Sequence, residues 1–262
     1  MFTLGFIGTG SMGGALARAA AKTGEHALLL ANRHPEKARA LAGEIGGEVA
    51  DNAAVWNKAD YIFLGVKPKL VPAVLAEALP LLSRRAAPPV LVSMAADVPL
   101  EKLSRMTQGL CPIIRILPNI PVSVGAGVVF YTGSADLTQE QLAAFLDILR
   151  CSGELVPMEE DLFDAGSAVA GCGGAFVSLF LEGLADGGLA CGLPRRQAYV
   201  LAEQMALGAA KWLLENDKLP TELKDATCSP GGTTIRGVRA LEQGGVRSAA
   251  MEAVIAAYGG LD

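Results

Sequence analysis

The sequence predicts an α/β fold: a doubly wound parallel sheet in the first part of the chain, followed by an all-helical part. Three observations support this prediction. Short apolar runs alternate with helical segments up to about residue 150, which is typical of a parallel sheet covered by helices. A glycine-rich turn directly follows the first apolar run. After residue 156 the strand patterns end, and the remaining segments have helical periodicity.

The first part contains six predicted strands joined by helices. The strands are predicted at residues 3–7, 27–31, 61–66, 90–94, 113–117 and 128–131. The helices are predicted at residues 12–22, 35–42, 70–82, 100–106 and 138–149, the last with Thr138 and Gln141 as a capping box. Right-handed connections between parallel strands then build one doubly wound sheet.

The second part contains four predicted helices, at residues 161–189, 195–215, 233–243 and 246–258. We therefore predict two domains, residues 1–158 and residues 159–262. The segment 165–184 is apolar nearly all round. A helix with that pattern is buried in a core or between subunits.

Composition narrows the possible functions. The 262 residues carry a net charge of −5, with 51% hydrophobic and 19% charged residues, whereas a typical soluble domain has about 25% charged residues. The shortage of charge argues against disorder and favours extra apolar surface buried against another subunit. With no basic stripe, we expect no nucleic-acid partner.

Several site types and locations are disfavoured. The five cysteines are scattered and there are two histidines, both early in the chain, so we expect neither a metal site nor a catalytic triad.

The charge-free segment 116–135 contains prolines and glycines, and the segment 165–181 is short and interrupted by glycines, so we expect no membrane span. The first strand begins at residue 3, which leaves no room for a signal peptide. We therefore expect a cytoplasmic protein.

The strongest motif is the run Gly8-Thr9-Gly10-Ser11-Met12-Gly13, which follows a strand and opens a helix. In this context the GxGxxG pattern predicts a dinucleotide site. The first glycine permits the tight turn, the second lets the backbone approach a pyrophosphate, and the third lets helix and strand pack closely. The helix N-terminus then faces the anion.

The end of the second strand indicates which cofactor binds. An NAD site has Asp or Glu there for the ribose hydroxyls, but this chain has Asn32 and Arg33. Arg33 can pair with a 2′-phosphate and Asn32 can donate a hydrogen bond to it. We therefore expect NADPH as the preferred cofactor, with NADH possible. Two later strands also end where the ligand crevice is expected. Lys67 follows the third strand and would face the ribose or phosphates, and the mostly small residues 93–96 at the end of the fourth strand would leave room for the nicotinamide ring.

The second part contains one unusual loop, which runs Thr227-Cys228-Ser229-Pro230-Gly231-Gly232-Thr233-Thr234 into a predicted helix. Successive glycines before a helix leave backbone N–H groups open to an anion. The loop itself has no Lys or Arg, so we expect backbone dipoles to hold a small carboxylate there. A plain threonine-capped helix start is the alternative interpretation.

Taken together, the chain resembles the pyrroline-5-carboxylate reductase family over essentially its whole length. The resemblance is carried by the N-terminal glycine-rich loop, Gly65-Val66-Lys67-Pro68, the run from Arg115 to Pro121, the segment from Glu182 to Arg195, and the loop from Asp225 to Ile235 that continues to Gly245. It implies a Rossmann domain followed by a helical dimerisation domain. It also implies reduction of the cyclic imine 1-pyrroline-5-carboxylate to L-proline by NADPH or NADH.

The resemblance also implies site residues. The cofactor site would be lined by Ile7, Gly8, Thr9, Gly10, Ser11, Met12, Gly13, Asn32, Arg33, Asn52, Gly65, Val66, Lys67, Pro68, Met94, Ala95 and Ala96. The substrate would be surrounded by Thr227, Ser229, Pro230, Gly231, Gly232 and Thr233, with Thr234 as the catalytic residue nearest the ring nitrogen. Its partners would be a small-molecule substrate and further copies of the chain, as a dimer or a higher homo-oligomer.

One segment departs from the family pattern. Most members read Gly-Ser-Gly-Pro-Ala-Tyr where this chain has Gly171-Cys172-Gly173-Gly174-Ala175-Phe176. Cys172 and Phe176 thus each lack a hydroxyl, which bears on the range of imines accepted rather than on the fold.

Three alternatives remain open at this point. A β-hydroxyacid dehydrogenase shares the first loop, but its family uses a catalytic lysine on the first long interdomain helix, and no Lys occurs between Asp164 and Glu182. Another imine reductase is the second alternative. A non-catalytic NADP-binding protein is the third, and it would not need the loop from Ser229 to Thr234.

Overall fold

The computed structural model describes residues 1–259, which form two compact units, Met1–Ser167 and Ala168 onward. The domain boundary predicted after residue 158 stays a prediction, and the last three residues of the predicted second domain, 260–262, lie outside the described residues.

The first unit is built on an eight-stranded sheet with the strand order β3-β2-β1-β4-β5-β6-β7-β8. The strands are β1 Thr3–Ile7, β2 Ala27–Ala31, β3 Glu48–Val49, β4 Tyr61–Leu64, β5 Val90–Ser93, β6 Ile113–Pro118, β7 Gly127–Gly133 and β8 Gly153–Pro157. All neighbouring pairs are parallel except β6 and β7, which are antiparallel. The predicted fold class, a doubly wound α/β sheet followed by a helical part, is confirmed.

Six helices cover this sheet. They are α1 Ser11–Ala21, α2 Pro35–Ile45, α3 Asn52–Lys58, α4 Val71–Leu82, α5 Leu100–Thr107 and α6 Gln139–Ile148. The capping box predicted for α6 is present, because the Thr138 side chain accepts from the Gln141 backbone and the Gln141 side chain accepts from the Thr138 backbone. A buried apolar cluster lies on each face of the sheet. On one face, the rings of Phe6 and Phe63 stack with their centres 4.6 Å apart.

This topology creates the edge at which a ligand can bind. Strands β1, β2, β4 and β5 are parallel neighbours, so their carboxyl ends share one edge of the sheet. Strand β1 lies at the point where the order reverses: β2 and β3 lie on one side of it, and β4 and β5 lie on the other. Doubly wound sheets bind ligands at the carboxyl edge beside such a switch point.

The second unit is helical. A continuous helical run begins in the first unit with a 3₁₀ turn, Glu160–Leu162, and the short helix α7, Phe163–Gly166. It passes through the π-helical turn Ser167–Gly171 into α8, Gly173–Ala190. The remaining helices are α9 Arg195–Asn216, α10 Pro220–Thr227, α11 Thr233–Gln243 and α12 Val246–Gly259.

Large apolar side chains are exposed on these helices. Leu179 is 72% exposed on α8, and Ile255 is 60% exposed on α12. Within residues 1–259, one helical run, Glu160–Ala190, is long and apolar enough by length and composition alone to cross a membrane, and 11% of its most apolar window is buried. An exposed apolar surface of this kind needs a second surface to cover it.

Four elements had no predicted counterpart: β3, α3, β8 and α10. β3 has two residues and α3 has seven, so neither is long enough to show a clear period. β8 reads Gly-Glu-Leu-Val-Pro, and proline and glycine at its ends hide the strand pattern. The reversed direction of β7 also had no signal in its own sequence, because strand direction depends on the path of the connecting chain.

Candidate active site

The glycine-rich turn between β1 and α1 is held by very close packing. Gly8 has a φ of +97°, which L side chains rarely adopt, and its N–H donates to the Ala31 carbonyl at 2.8 Å. A Cβ atom on Gly13 would overlap the Gly8 carbonyl oxygen, and one on Gly65 would lie 2.6 Å from the same oxygen. Gly10 is exposed, with no atom within 4 Å of its Cβ position. The turn therefore leaves Gly10 open for a ligand while its other glycines are required by packing.

The start of α1 has no side-chain cap. Gly10 is the N-cap residue, with no side-chain hydrogen bond to the helix. The first N–H groups of a helix have no intrahelical partner and attract anions. The structure thus combines an open backbone at Gly10 with a positive helix end, which fits a pyrophosphate.

The Asn32 side chain braces this turn. Its Oδ1 accepts from the Thr9 backbone N–H at 3.2 Å, and its Nδ2 donates to the His34 carbonyl at 3.0 Å. One of the two Nδ2 hydrogens is thus already used, so Asn32 can donate to a 2′-phosphate only with the other one. Arg33 is exposed at the same edge of the sheet.

A cavity of about 250 Å³ lies beside the turn, between α1 and α2. It is lined by Thr9, Gly10, Ser11, Gly14, Arg18, Lys37, Ala40, Leu41 and Glu44. Arg18 and Glu44 form an ion pair at 2.6 Å, and their hydrogen bond raises the pKa of Arg18 and lowers the pKa of Glu44. The charge of Arg18 is therefore balanced locally, whereas Lys37 adds a positive charge to the cavity wall.

Lys37 is a further candidate site residue, and it belongs to none of the sequence motifs considered above. It lies in the first turn of α2, four residues after Arg33. A basic residue one helical turn beyond the end of β2 was the available signal. Thr9 also lines this cavity, and its hydroxyl is buried without a hydrogen-bond partner among the described residues. The positive charge of Lys37 fits an anionic ligand here.

The other cofactor candidates follow β3, β4 and β5. Asn52 is the first residue of α3, directly after Asp51, whose carboxylate caps the helix by accepting from Ala54 N–H at 2.7 Å. Gly65, Val66, Lys67 and Pro68 come after β4, and Met94, Ala95 and Ala96 come after β5. The structure therefore brings all the cofactor candidates to the carboxyl edge of one sheet.

Three of these candidates have buried side chains. Ile7 is 2% exposed, Thr9 is 6% exposed and Ala95 is 1% exposed, so these side chains shape the site from behind rather than present themselves to a ligand. The Sδ atom of Met94 lies 3.2 Å from the Cβ position of Gly65, which brings the ends of β4 and β5 together. Gly65, Ala95 and Ala96 are the small residues at these two strand ends.

The substrate candidates lie together in the second unit, between α10 and α11. The Gly232 N–H donates to the Ser229 carbonyl at 3.0 Å. With Pro230 in the second position and Gly231 at a φ of +70° in the third, this turn has the residues that a type II turn requires. A Cβ atom on Gly232 would overlap the Ser229 hydroxyl. Gly231 is thus needed for the shape of the loop, whereas a Cβ atom on Gly232 would require the Ser229 hydroxyl to rotate away.

The two threonines after this turn do not cap the helix. Gly232 is the N-cap residue of α11 and no side chain caps it. Thr233 and Thr234 are the first two residues of the helix, and both are exposed. The alternative interpretation of a threonine-capped helix start therefore does not hold, and the hydroxyl of Thr234 is available for a ligand.

Arg236 brings a positive charge to this loop, although the loop sequence itself contains no Lys or Arg. It occupies the first turn of α11, and its Nε donates to the Gly232 carbonyl at 3.4 Å. The spacing of four residues on a helix was the available signal. The Thr227 hydroxyl is directed to α10, at 3.0 Å from the carbonyl oxygens of Leu223 and Lys224.

Comparison with known proteins places this arrangement in a family. The family model described as pyrroline-5-carboxylate reductase dimerisation matches residues 160–260, and the model described as NADP oxidoreductase, coenzyme F420-dependent, matches residues 3–97. Pyrroline-5-carboxylate reductase from Escherichia coli is 39% identical over 96% of this chain and 94% of its own length. This chain belongs to the pyrroline-5-carboxylate reductase family.

Further relatives agree across a wide range of organisms. The pyrroline-5-carboxylate reductase of Glycine max is 40% identical over 98% of this chain and 93% of its own length. The crystal structure of the Plasmodium falciparum pyrroline carboxylate reductase, which has NADP bound, superposes with a TM-score of 0.82 at 29% identity, covering 98% of this chain and 95% of that one. Membership in this family confirms the predicted resemblance. It also confirms the predictions that the chain is an oxidoreductase of the NADP-binding class and that its C-terminal part is a dimerisation domain.

Proposed function

We propose that this protein catalyses the NADPH-dependent reduction of 1-pyrroline-5-carboxylate to L-proline. The observation that carries the proposal is the presence in one chain of two helix starts that follow glycine-rich turns and have no side-chain cap, at α1 and at α11. The first suits a dinucleotide and the second suits a small carboxylate. Membership in the pyrroline-5-carboxylate reductase family supports the same assignment.

The cofactor-binding residues are proposed to be those of the carboxyl edge. Gly10 and the N-terminus of α1 bind the pyrophosphate, and the ends of β4 and β5 accommodate the nicotinamide half. The full set is Ile7, Gly8, Thr9, Gly10, Ser11, Met12, Gly13, Asn32, Arg33, Asn52, Gly65, Val66, Lys67, Pro68, Met94, Ala95 and Ala96. When bound, NADPH supplies the hydride.

Arg33 and Lys37 are proposed to select NADPH over NADH. Both are exposed cations near the end of β2, and Lys37 lines the cavity beside the glycine-rich turn. A 2′-phosphate carries a negative charge that such groups stabilise through charge-assisted hydrogen bonds. The absence of an acid at the end of β2 removes the group that would favour the free ribose hydroxyl.

The substrate carboxylate is proposed to bind at the turn before α11. Backbone N–H groups at the uncapped helix start attract it, and the guanidinium of Arg236 adds charge. Pro230, Gly231 and Gly232 shape the turn, and Ser229 and Thr233 offer hydroxyls beside it. The Thr227 hydroxyl must turn away from α10 if it is to donate to the substrate.

Thr234 is proposed as the residue that contacts the ring nitrogen of the imine. A cyclic imine binds readily as an iminium, which already accepts a hydride, so the reaction needs little acid–base machinery. The hydroxyl of Thr234 accepts the iminium N–H and so orients the nitrogen, and after hydride addition it relays a proton from water to the product amine nitrogen. The scarcity of histidine in the chain is compatible with this chemistry.

Assembly and location complete the proposal. We propose a homodimer, in which the exposed apolar faces of the helical unit cover one another, and a cytoplasmic location. The net charge of −5 and the absence of a basic stripe in the sequence support a protein that binds no nucleic acid. The apolar run Glu160–Ala190 is then a subunit interface rather than a membrane span.

The decisive experiment follows NADPH absorbance with purified protein and 1-pyrroline-5-carboxylate, and identifies the product by mass spectrometry. We expect NADPH consumption and stoichiometric formation of L-proline. Pyrroline-2-carboxylate and a piperideine carboxylate serve as comparison substrates, because Cys172, Gly174 and Phe176 depart from the family pattern. If NADPH were oxidised with a comparison substrate but not with 1-pyrroline-5-carboxylate, that comparison substrate would take the place of the proposed one. No turnover with any of the three compounds would overturn the proposed activity.

A further inference from the structure

Arg115 is a buried cation in the middle of strand β6. It is 6% exposed, although its guanidinium carries a full charge. Its Nη1 donates to Oε1 of Glu160 at 2.8 Å, its Nη2 donates to the Ala96 carbonyl, and its guanidinium carbon lies 4.9 Å from the ring centre of Phe163. A buried ion pair often contributes little net stability, because removing the charges from water costs several kcal/mol. This ion pair therefore calls for an explanation other than stability.

The ion pair holds one loop at two points. The carboxylate oxygen of Glu160 that receives Arg115 also accepts the backbone N–H of Leu100 at 2.7 Å. Arg115 thus binds the carbonyl of Ala96, in the middle of the segment 94–99 that joins β5 to α5, and Glu160 binds the amide of Leu100, the first residue of α5. The four groups come from three separate stretches of the chain, and all of them lie in the first unit.

We propose that Arg115 is a positioning residue for the nicotinamide half of the cofactor. Through Ala96 and Glu160 it fixes the shape of the segment 94–100, whose first residues are the candidates at the end of β5. The inference rests on the proposed function, in which Met94, Ala95 and Ala96 line that half of the site. Misplacement of a reacting group by about 1 Å costs on the order of a hundredfold in rate, so a rigid support matters here.

Arginine suits this role better than lysine. Its planar guanidinium presents five N–H donors in a fixed fork, so one side chain reaches a carboxylate and a carbonyl at the same time. The Nε–H is buried without a hydrogen-bond partner among the described residues. The guanidinium therefore bonds to Glu160 and Ala96 in an orientation that leaves one of its own N–H groups unpaired. A lysine in this position has a single ammonium and cannot hold both groups in the same geometry.

The test compares two ligands that share the adenosine half of the cofactor. Adenosine 2′,5′-bisphosphate lacks the nicotinamide half, whereas NADP⁺ contains both halves. Calorimetric binding of each is measured for the wild type, Arg115→Lys and Arg115→Met. Arg105→Lys and Arg105→Met serve as matched controls, because Arg105 is a 72% exposed arginine on α5 that pairs with Glu101 at 3.1 Å.

We expect both Arg115 variants to bind adenosine 2′,5′-bisphosphate like the wild type but to bind NADP⁺ about tenfold or more weakly, with kcat reduced about tenfold to a hundredfold. The Arg105 variants should match the wild type in all measurements. Equal loss of both ligands, or loss of neither, would overturn the inference. A wild-type protein that binds neither ligand would instead overturn the proposed cofactor site.

Glu160→Gln keeps the inference testable if the Arg115 variants do not fold. Glutamine keeps an oxygen near the Leu100 N–H, but a neutral amide oxygen is a weaker acceptor than a carboxylate, and the charge that holds Arg115 is lost. Glu160 is partly exposed, at 29%, so this nearly isosteric change should be tolerated. We expect faster hydrogen exchange at Leu100 and about tenfold weaker NADP⁺ binding, again with adenosine 2′,5′-bisphosphate unaffected. Unchanged exchange together with wild-type NADP⁺ affinity would contradict the role of the pair.

Discussion

The carbonyl oxygen of Gly8 occupies the space in which a Cβ atom on Gly13 would lie, so the first turn of α1 packs directly against the end of β1. Gly10, between them in sequence, has no atom within 4 Å of its Cβ position. Two glycines of one motif are thus required for different reasons. Gly13 is needed for packing within the protein, and Gly10 is needed only if a ligand approaches the backbone.

Alanine substitutions separate these two requirements. Gly13→Ala should lower the free energy of unfolding by about 1–3 kcal/mol, because a methyl group is forced into filled space. Gly10→Ala should leave thermal unfolding nearly unchanged, since Gly10 has a φ of −73° that alanine adopts freely, but it should weaken NADP⁺ binding. Thermal denaturation and calorimetry measure the two effects. Wild-type NADP⁺ affinity in Gly10→Ala would mean that the phosphates do not lie at this turn.

Cofactor preference should depend on Arg33 and Lys37. Replacing either with alanine should raise KM for NADPH about fivefold to thirtyfold, which corresponds to about 1–2 kcal/mol of lost charge-assisted hydrogen bonding. KM for NADH should change little, because NADH has no 2′-phosphate. Arg39→Ala is the matched control, since Arg39 is an exposed cation on α2 that does not line the cavity. Wild-type protein with equal kcat/KM for both cofactors would contradict the prediction.

Thr234→Ala should lower kcat/KM by about ten- to a hundredfold. The loss corresponds to a hydrogen bond to a charged partner, worth about 1.5–3 kcal/mol. Thr234→Ser should recover much of the activity, and NADPH binding should stay near the wild-type value. Because Gly232 is the N-cap of α11 and no side chain caps the helix, the melting temperature should not fall. A variant that melts earlier but turns over at the full rate would show a structural role instead.

Arg236→Ala should raise KM for the imine substrate and leave kcat nearly unchanged. The guanidinium lies beside the turn that is proposed to bind the carboxylate, so its charge should stabilise substrate and transition state about equally. Arg239→Ala, which changes an exposed arginine three residues further along α11, is the control. Steady-state kinetics with varied substrate at saturating NADPH measure both. A fall in kcat at constant KM would place Arg236 at the reacting atoms rather than at the carboxylate.

Stability should fall at alkaline pH partly through Tyr61. Burial, aided by Asp60 and Glu140, raises the pKa of Tyr61 to about 12 from its ordinary 10.0. The folded state therefore keeps a proton that the unfolded state loses, so this contribution is intact below about pH 10 and is lost as the pH rises toward 12. Urea unfolding of Tyr61→Phe should show a shallower decline over that range than the wild type. Parallel declines would contradict the shift.

The helical unit should form a tight dimer through its exposed apolar faces. Such an interface buries more than about 2,000 Å² and resembles a core cut in half. Leu179→Lys, at a 72% exposed position on α8, should weaken association in sedimentation experiments. Val49→Lys, at an exposed position on β3 outside the dimerisation match, should not. A stable, active wild-type monomer at micromolar concentration would refute the prediction.

Features that depend on neighbouring residues could be predicted from the sequence. The capping box of α6 involves residues three apart, and the helix α11 has the predicted bounds, Thr233–Gln243. The turn between β1 and α1 is specified by glycine spacing, because backbone conformations with positive φ and close helix–strand packing both need glycine locally. The fold class follows from the same local alternation of strand and helix patterns.

Relationships between distant residues were decided by the tertiary structure. Arg115 and Glu160 are 45 positions apart, and no local pattern indicates that they pair. Lys37 lines the cavity beside the glycine-rich turn because α2 packs near α1, and Asn32 braces Thr9 across 23 positions. The sequence by itself thus determined the longer elements, the glycine-rich turns and the family. Which charges meet at the carboxyl edge depended on how the elements pack, since side chains from separate strands and helices become neighbours only after the core has formed.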